Sequence, residues 1–464
     1  MHIGQKKPII LLVIILLISA FLRFYKLPEM ANFDFDQEYA SNFAYSVLKE
    51  YPIQLIGQGL SIQGLFMGPI YFYYLVPFYA FSNLHPIGGY IGSVVLGLIT
   101  VFTYFWVGKK MFGTTAGLIA AFFRGILFSF IDIDWSMTPA FSSDIVVIAT
   151  TYFFYRYWHN DLKSQIPLAF CLGLFTSLHP ILFPFYLVFV IFLILKRKIP
   201  SLKITTFSIF AFLIPIFPLI RFEFLHSFLE VKQLFSLFGG QLTGYKDYIS
   251  SLQEYLLVNI YEPYRIFGIL NIPKTYFSVA LFGILIFISF KKIGFWKDNF
   301  HKVFLLTTFI IFLSYYTFFP GHVSEYYFSA IGTLVVLYSA ASASLLAKKH
   351  LPILFLIIII LSFFSLKTLS ARWNNPALIT LVHKDFIVKE ILKRQPKNQE
   401  FFVSYIKNPG WNFGFDYLFK LYGHTPQTRE VKPPIYTIVL PKALSEGPDR
   451  ITSGNIHLIL PPTK

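Results

Sequence analysis

The sequence predicts an all-α polytopic membrane protein of about eleven transmembrane helices, followed by a small C-terminal α/β domain outside the membrane. Three observations carry this expectation. The 464 residues are 55% hydrophobic and only 13% charged, with a mean hydropathy of +0.61. Apolar runs of bilayer length recur between small basic clusters, the arrangement of cytoplasmic loops. After Lys367 the pattern changes to charges, prolines and short alternating apolar runs.

Composition also excludes several classes. A net charge of +16 would suit a nucleic-acid partner, but the cations are spread through short loops and form no single basic face, so no nucleic acid is expected. The single cysteine, Cys171, lies in an apolar run, which rules out an internal disulfide and a cysteine metal site. There is no HExxH, close His pair, Walker A loop or strand-borne GxGxxG, so a dedicated zinc site and a nucleotide-fuelled mechanism lack support.

The first span is expected over about residues 9–27, held with its start in the cytoplasm by Lys6 and Lys7 and without a signal-peptidase site after it. Arg23, near its far end, is expected to snorkel to the interface in preference to a role near the active site. The chain then emerges into an outer loop of about residues 28–87, which opens on Asn32-Phe33-Asp34-Phe35-Asp36-Gln37-Glu38-Tyr39-Ala40. Carboxylates at the mouth of a membrane body are costly to place and point to function, although a solvated acidic loop would look the same.

Residues 69–84 are apolar, tyrosine-rich and interrupted by Pro77. If they crossed, Lys109-Lys110 and the later basic clusters up to Lys291-Lys292 would face outward. The positive-inside rule therefore makes them a juxtamembrane element. Further spans are expected near 88–108, 112–131, 141–158, 166–178, 180–195, 203–222, 276–290, 303–319, 326–346 and 351–367. A second long outer loop runs from about 223 to 275. The domains are thus 1–369 in the membrane and 370–464 outside it, the latter with helices near 381–395 and 412–422 and strands near 400–405, 435–440 and 455–460. No internal repeat is visible, which counts against an inverted-repeat transporter.

This topology gathers acids, histidines and arginines on the outer side: Asp34, Asp36, Glu38, Asp132, Asp134, Asp144, His179, Arg221, Glu223, His226, Arg265, His322 and Glu325. Asp132 and Asp134 either end a helix or line a site. Asp144 is either a first-turn helix acid or a site residue. His179 and His322 each sit beside a proline or glycine turn. Arg124, inside the third span, must have a partner or snorkel. Asp36, Glu38, Asp132 and Asp134 are the candidates for holding a divalent cation, the only cofactor the residues admit.

The order of motifs resembles the polytopic GT-C glycosyltransferases, and most closely the branch of dolichyl-phosphate-mannose protein mannosyltransferases and aminoarabinose transferases. Those proteins carry Asp-Glu a few residues after a proline, then Tyr-Ala; here the stretch reads Pro28…Asp36-Gln37-Glu38-Tyr39-Ala40. Gly68-Pro69-Ile70-Tyr71-Phe72-Tyr73-Tyr74 is similar to the family's Pro-Pro-Leu-Tyr-Tyr, Gly108-Lys109-Lys110-Met111-Phe112-Gly113 to its Gly-Arg-Arg-Leu-Phe-Gly turn, and Glu325-Tyr326-Tyr327-Phe328 to a late outer motif. Gln37 departs from the usual glutamate, leaving Glu38 as a substitute second acid.

The resemblance covers about residues 1–370 and implies a GT-C-like fold. It also implies transfer of a sugar, with inversion, from a polyprenyl-phosphate donor to a lipid, glycan or protein acceptor at the outer face of the plasma membrane. Such chemistry needs a carboxylate base, for which Asp36 is placed, with Glu38 beside it. The leaving phosphate needs cations, of which Arg221, Arg265 and Lys232 are available outside. Asp34, Tyr39, Asp144, His179, Glu223, His322 and Glu325 are the expected donor or acceptor contacts. Asp34 is expected to matter least of the three acids, while Glu38 shares the side of Asp36 if the loop is extended. The 223–275 loop, hinged at Gly239-Gly240, is expected to form a lid. A transporter or flippase of lipid-linked sugars, or a non-catalytic scaffold, would be the alternatives.

Overall fold

The computed structural model describes residues 3–196, 200–238, 248–267, 284, 294–318, 329–347, 350–375, 378–395, 400–426, 434–445 and 450–461. The membrane body begins with α1 (Ile3–Phe24), the one-turn α2 (Leu27–Met30) and α3 (Phe35–Lys49). It continues through α4 (Ile70–Phe81), α5 (Ile87–Phe112), α6 (Thr114–Ile126), α7 (Phe128–Ser136), α8 (Asp144–Trp158), α9 (Gln165–Leu178) and α10 (Pro184–Lys196). Next come α11 (Leu202–Leu225), α12 (Leu229–Phe238), α13 (Tyr248–Phe267), α14 (Asn299–Phe318), α15 (Ser329–Ala347) and α16 (Leu351–Trp373).

Six of these helices are long and apolar enough to cross a bilayer, or seven if α6 and α7 count as one bent span. The expected eleven is not reached among the described residues. The apolar segments 162–178 and 180–196 are too short by themselves, and the expected span at 276–290 lies, but for residue 284, outside the described residues. The helices turn bulky apolar side chains outward, as lipid contact requires: Leu17 is 65% exposed and Ile359 62%. The single span expected at 112–131 is broken: the chain is extended at Leu127, and α6 and α7 meet at a bend of 59°. Where α5 passes α6, a Cβ on Gly117 would lie 2.5 Å from the Phe105 carbonyl oxygen, so the helices touch backbone to backbone as small residues allow.

α4 has 12 residues, about 18 Å of helix and well short of a bilayer core. It packs on α3, with the Tyr79 and Ser41 hydroxyls 2.9 Å apart. The short α4 is thus built as a support for the acidic helix.

The C-terminal domain is a four-stranded sheet with α17 (Leu381–Arg394) and α18 (Phe415–Leu421). Its strands are β1 (Phe402–Lys407), β2 (Ile435–Leu440), β3 (Arg450–Ser453) and β4 (Ile456–Ile459), in the order β1-β2-β4-β3. β1 and β2 are parallel, which requires a crossover, supplied by the segment bearing α18. The other pairings are antiparallel. The edge strand β3 was not expected, because Arg-Ile-Thr-Ser is too short and polar to show a strand pattern. Ile387, Val388, Leu418, Phe419, Ile438 and Leu458 are fully buried in one apolar core continuous with Leu27, Met30 and Phe33. The domain is therefore docked on the membrane body beside the acidic stretch.

Candidate active site

The acidic stretch is not the extended loop expected. Asp34 is the N-cap residue of α3, and its backbone N–H donates to Gln37 Oε1 at 3.0 Å, the reciprocal half of a capping box. Gln37 also donates through Nε2 to the Ser136 carbonyl at the end of α7 and is 6% exposed. The residue that departs from the family pattern thus fastens α3 to the bent span.

Because the helix starts at Phe35, Asp36 and Glu38 stand about 200° apart around its axis and cannot share a side. Asp36 is half-buried and accepts from Gln58 Nε2 at 2.6 Å through Oδ1. Its Oδ2 has no partner among the described residues. Glu38 turns to the C-terminal domain instead, and its two oxygens accept from the backbone N–H groups of Gly414 and Tyr417, each at 2.9 Å. It thereby caps the start of α18. Burial pushes the Glu38 carboxyl above its usual range, against the two amide bonds that pull it down. Gly414 has φ 91°, and a Cβ there would meet the Phe33 carbonyl oxygen at 2.5 Å, so glycine is required at this junction.

Asp34, 56% exposed, accepts from Lys384 Nζ at 2.9 Å. Lys384 is fully buried and also donates to the carbonyls of Phe33 at 2.6 Å and Phe413 at 2.7 Å. One ammonium thus ties the acidic stretch to the domain that covers it. Sequence reasoning missed this residue, since a lysine on an amphipathic helix ordinarily faces water. Tyr39 packs its ring on Phe72 at 5.1 Å, and burial pushes its phenol up to about 12.

The proposed cation holders diverge, and the described residues contain no group of three His, Cys, Asp or Glu placed to hold a metal ion. Asp134 is 5% exposed and accepts from Arg23 Nε at 2.6 Å and from both terminal nitrogens of Arg124 at 2.8 and 2.7 Å. Asp144, also buried, accepts from Arg124 Nε at 2.6 Å. Arg23 does not snorkel. It is 0% exposed and spends its remaining donors on Ser19 and on the carbonyls of Gly125 and Arg124. Two guanidiniums and two carboxylates thus neutralise one another at the bend between α6 and α7, the condition under which charge is tolerated at membrane depth. Asp132 lies outside this cluster, 49% exposed and 4.0 Å from Arg372.

The other expected contacts are scattered. His179 is half-buried in a turn, where Nδ1 accepts from Ile181 N–H at 3.2 Å. Glu223 is buried and caps α12 by accepting from the N–H groups of Glu230 and Val231 at 3.0 and 3.2 Å. Arg221 and Lys232 are exposed. Arg265 lies on α13, with its side chain outside the described residues, as are His322, Glu325 and Gly239-Gly240. Within the expected lid, α12 is seated on the first loop: Glu230 Oε1 accepts from Phe66 N–H at 2.7 Å.

A cavity of about 430 Å³ opens between the acidic stretch, the end of α16 and the C-terminal domain, lined by Asn32, Asp34, Arg372, Ile379 and Trp411 among others. Arg372 gave no signal in the sequence because a cation at a span end is ordinary.

No family model and no curated protein matches this chain. Solved structures do. ArnT from Cupriavidus metallidurans bound to undecaprenyl phosphate superposes with a TM-score of 0.60 at 10% identity, covering 97% of both chains. The oligosaccharyltransferase AglB from Archaeoglobus fulgidus, in complex with an inhibitory peptide and a dolichol-phosphate, superposes with a TM-score of 0.51 at 14% identity, covering 92% of this chain and 65% of that one. At these identities the likeness concerns architecture, and it extends through membrane body and C-terminal domain alike: this chain shares the fold of ArnT and AglB, the GT-C fold.

Proposed function

We propose that the protein is a membrane glycosyltransferase. It moves a sugar from a polyprenyl-phosphate donor to a lipid, glycan or protein acceptor at the outer face of the plasma membrane, with the N-terminus in the cytoplasm and the C-terminal domain outside. The observation that carries this reading is Asp36, presented in the first turn of α3 at the capped end of a GT-C bundle, with one oxygen steered by Gln58 and the other unengaged among the described residues. In the step, the acceptor hydroxyl oxygen bonds to the anomeric carbon from the side opposite the phosphate. The bond from that carbon to the phosphate oxygen breaks, the hydroxyl proton passes to Asp36, and polyprenyl phosphate leaves. Inversion follows from the single displacement. Arg221, Lys232 and Arg265 are the cations proposed to meet the phosphate charge. A transporter would need ionisable groups along a water path, whereas Arg23, Arg124, Asp134 and Asp144 are engaged with one another.

The test is transfer by purified protein from a panel of polyprenyl-phosphate sugars. Asp36→Asn should lower turnover by about 10²- to 10⁴-fold while donor binding persists. If Asp36→Asn turned over normally and Asp34→Asn did not, the base would be Asp34.

A further inference from the structure

We infer that the cavity between Asp34, Arg372 and Trp411 binds a pyranose ring of the acceptor, so that the C-terminal domain selects a glycan-bearing acceptor; this rests on the transferase reading above. The chemistry of the walls is that of a sugar site. Trp411, in the turn between β1 and α18, lines the cavity and is 38% exposed. An open indole face takes the C–H face of a sugar ring, an amphipathic surface matched to an amphipathic ligand.

Around it stand the groups that read hydroxyls. Asp34 is an acceptor that stays 56% exposed even with Oδ1 on Lys384. Asn32 offers both a donor and an acceptor. Arg372 has donors in reserve: its Nη2 reaches Asn32 Oδ1 only at 3.5 Å, and its nearest carboxylate, on Asp132, is 4.0 Å away. A guanidinium terminus so loosely engaged can turn its N–H donors to a ligand hydroxyl.

Other ligand classes fit less well. A phosphate on Arg372 would share the cavity with the Asp34 carboxylate. An apolar chain would strip water from Asp34, Asn32 and Arg372 and offer nothing polar in its place. The volume of about 430 Å³ lies within the range of small-molecule sites. The walls are also held in place before any ligand arrives, because Lys384 bonds the carbonyl before Asp34 and the Phe413 carbonyl two residues after Trp411.

The experiment is direct binding to the full-length protein in detergent, without donor, read by saturation-transfer NMR. The probes are methyl α-mannopyranoside, methyl β-glucopyranoside and N-acetylglucosamine, with inorganic phosphate and a short neutral peptide as comparators. At least one saccharide should bind. Trp411→Ala and Arg372→Gln should each weaken it about tenfold or more, with Trp411→Phe weakening it less because an aromatic face persists. Thermal melts identify any variant that has lost its fold, and Trp411→Phe then carries the test. Asp36→Asn should bind as wild type does, so loss of the transferase reading and loss of this one are separable. The inference is overturned if no saccharide binds far above millimolar concentration, if both Trp411 variants bind as wild type, or if phosphate or the peptide binds in the sugar's place.

Discussion

Asp134→Asn is the substitution whose consequence the geometry sets most firmly. Asp134 receives three charge-assisted bonds of 2.6 to 2.8 Å from two arginines that are 0% and 1% exposed. The cluster of Arg23, Arg124, Asp134 and Asp144 sums to zero, and asparagine leaves it at +1 with no water to respond. Breaking a buried pair in this way costs about 3–5 kcal/mol. At about 2 °C per kcal/mol, the low end for large domains, the melting temperature should fall by roughly 6–10 °C. The same cluster anchors α7, whose Ser136 carbonyl receives Gln37, so the proposed transfer should weaken through a misplaced α3. The assay is thermal unfolding of detergent-solubilised protein, with Asp132→Asn as control. Asp132 is 49% exposed and 4.0 Å from its nearest cation, so its loss should cost under about 1 kcal/mol. Adding Arg23→Met to Asp134→Asn restores neutrality through the remaining Arg124–Asp144 pair and should recover part of the loss, a coupling of about 0.5–3 kcal/mol. Equal melting of the Asp134 and Asp132 variants, or a double variant no better than the sum of its parts, would refute the reasoning.

Further outcomes can be checked beside it. Gly97→Ala should destabilise by about 1–3 kcal/mol, because its Cβ would lie 2.3 Å from Asp134 Oδ2 and that carboxylate is clamped; an unchanged melt would show that α5 can yield. Lys384→Met orphans the carbonyls of Phe33 and Phe413 at about 1–3 kcal/mol each, while the exposed Asp34 rehydrates. Hydrogen exchange should then accelerate across α17 and α18 before it does in the membrane helices. Burial and the neighbouring Glu223 push the Glu230 carboxyl from 4.5 up to about 7. A carboxyl raised on folding stabilises the seated α12 fully below the lower value and loses that contribution as pH rises through the higher one. Proteolysis at α12 should therefore increase from about pH 5 to about pH 8, and Glu230→Gln should flatten the profile.

The resemblance read from short motifs named the fold that the superpositions show, although no pair of sequences exceeds 14% identity in the two comparisons given. Asp36 could be singled out because a carboxylate at a membrane mouth is rare. The roles of its neighbours could not, since they depend on where α3 begins. Helix in place of extended chain over these residues sends Glu38 to the C-terminal domain and away from the Asp36 side.

What the sequence determined by itself was everything set by local, additive terms. Apolar run length placed the six helices that are long and apolar enough to cross a bilayer, basic clusters proposed their direction, and alternation located three of the four strands. Only the tertiary structure decided which charges meet. Arg23 and Asp134 are 111 residues apart, and Asp34 and Lys384 are 350 apart. Their pairing is created by helix packing and domain docking, and a side chain's sequence neighbours carry no record of the partner that burial will supply.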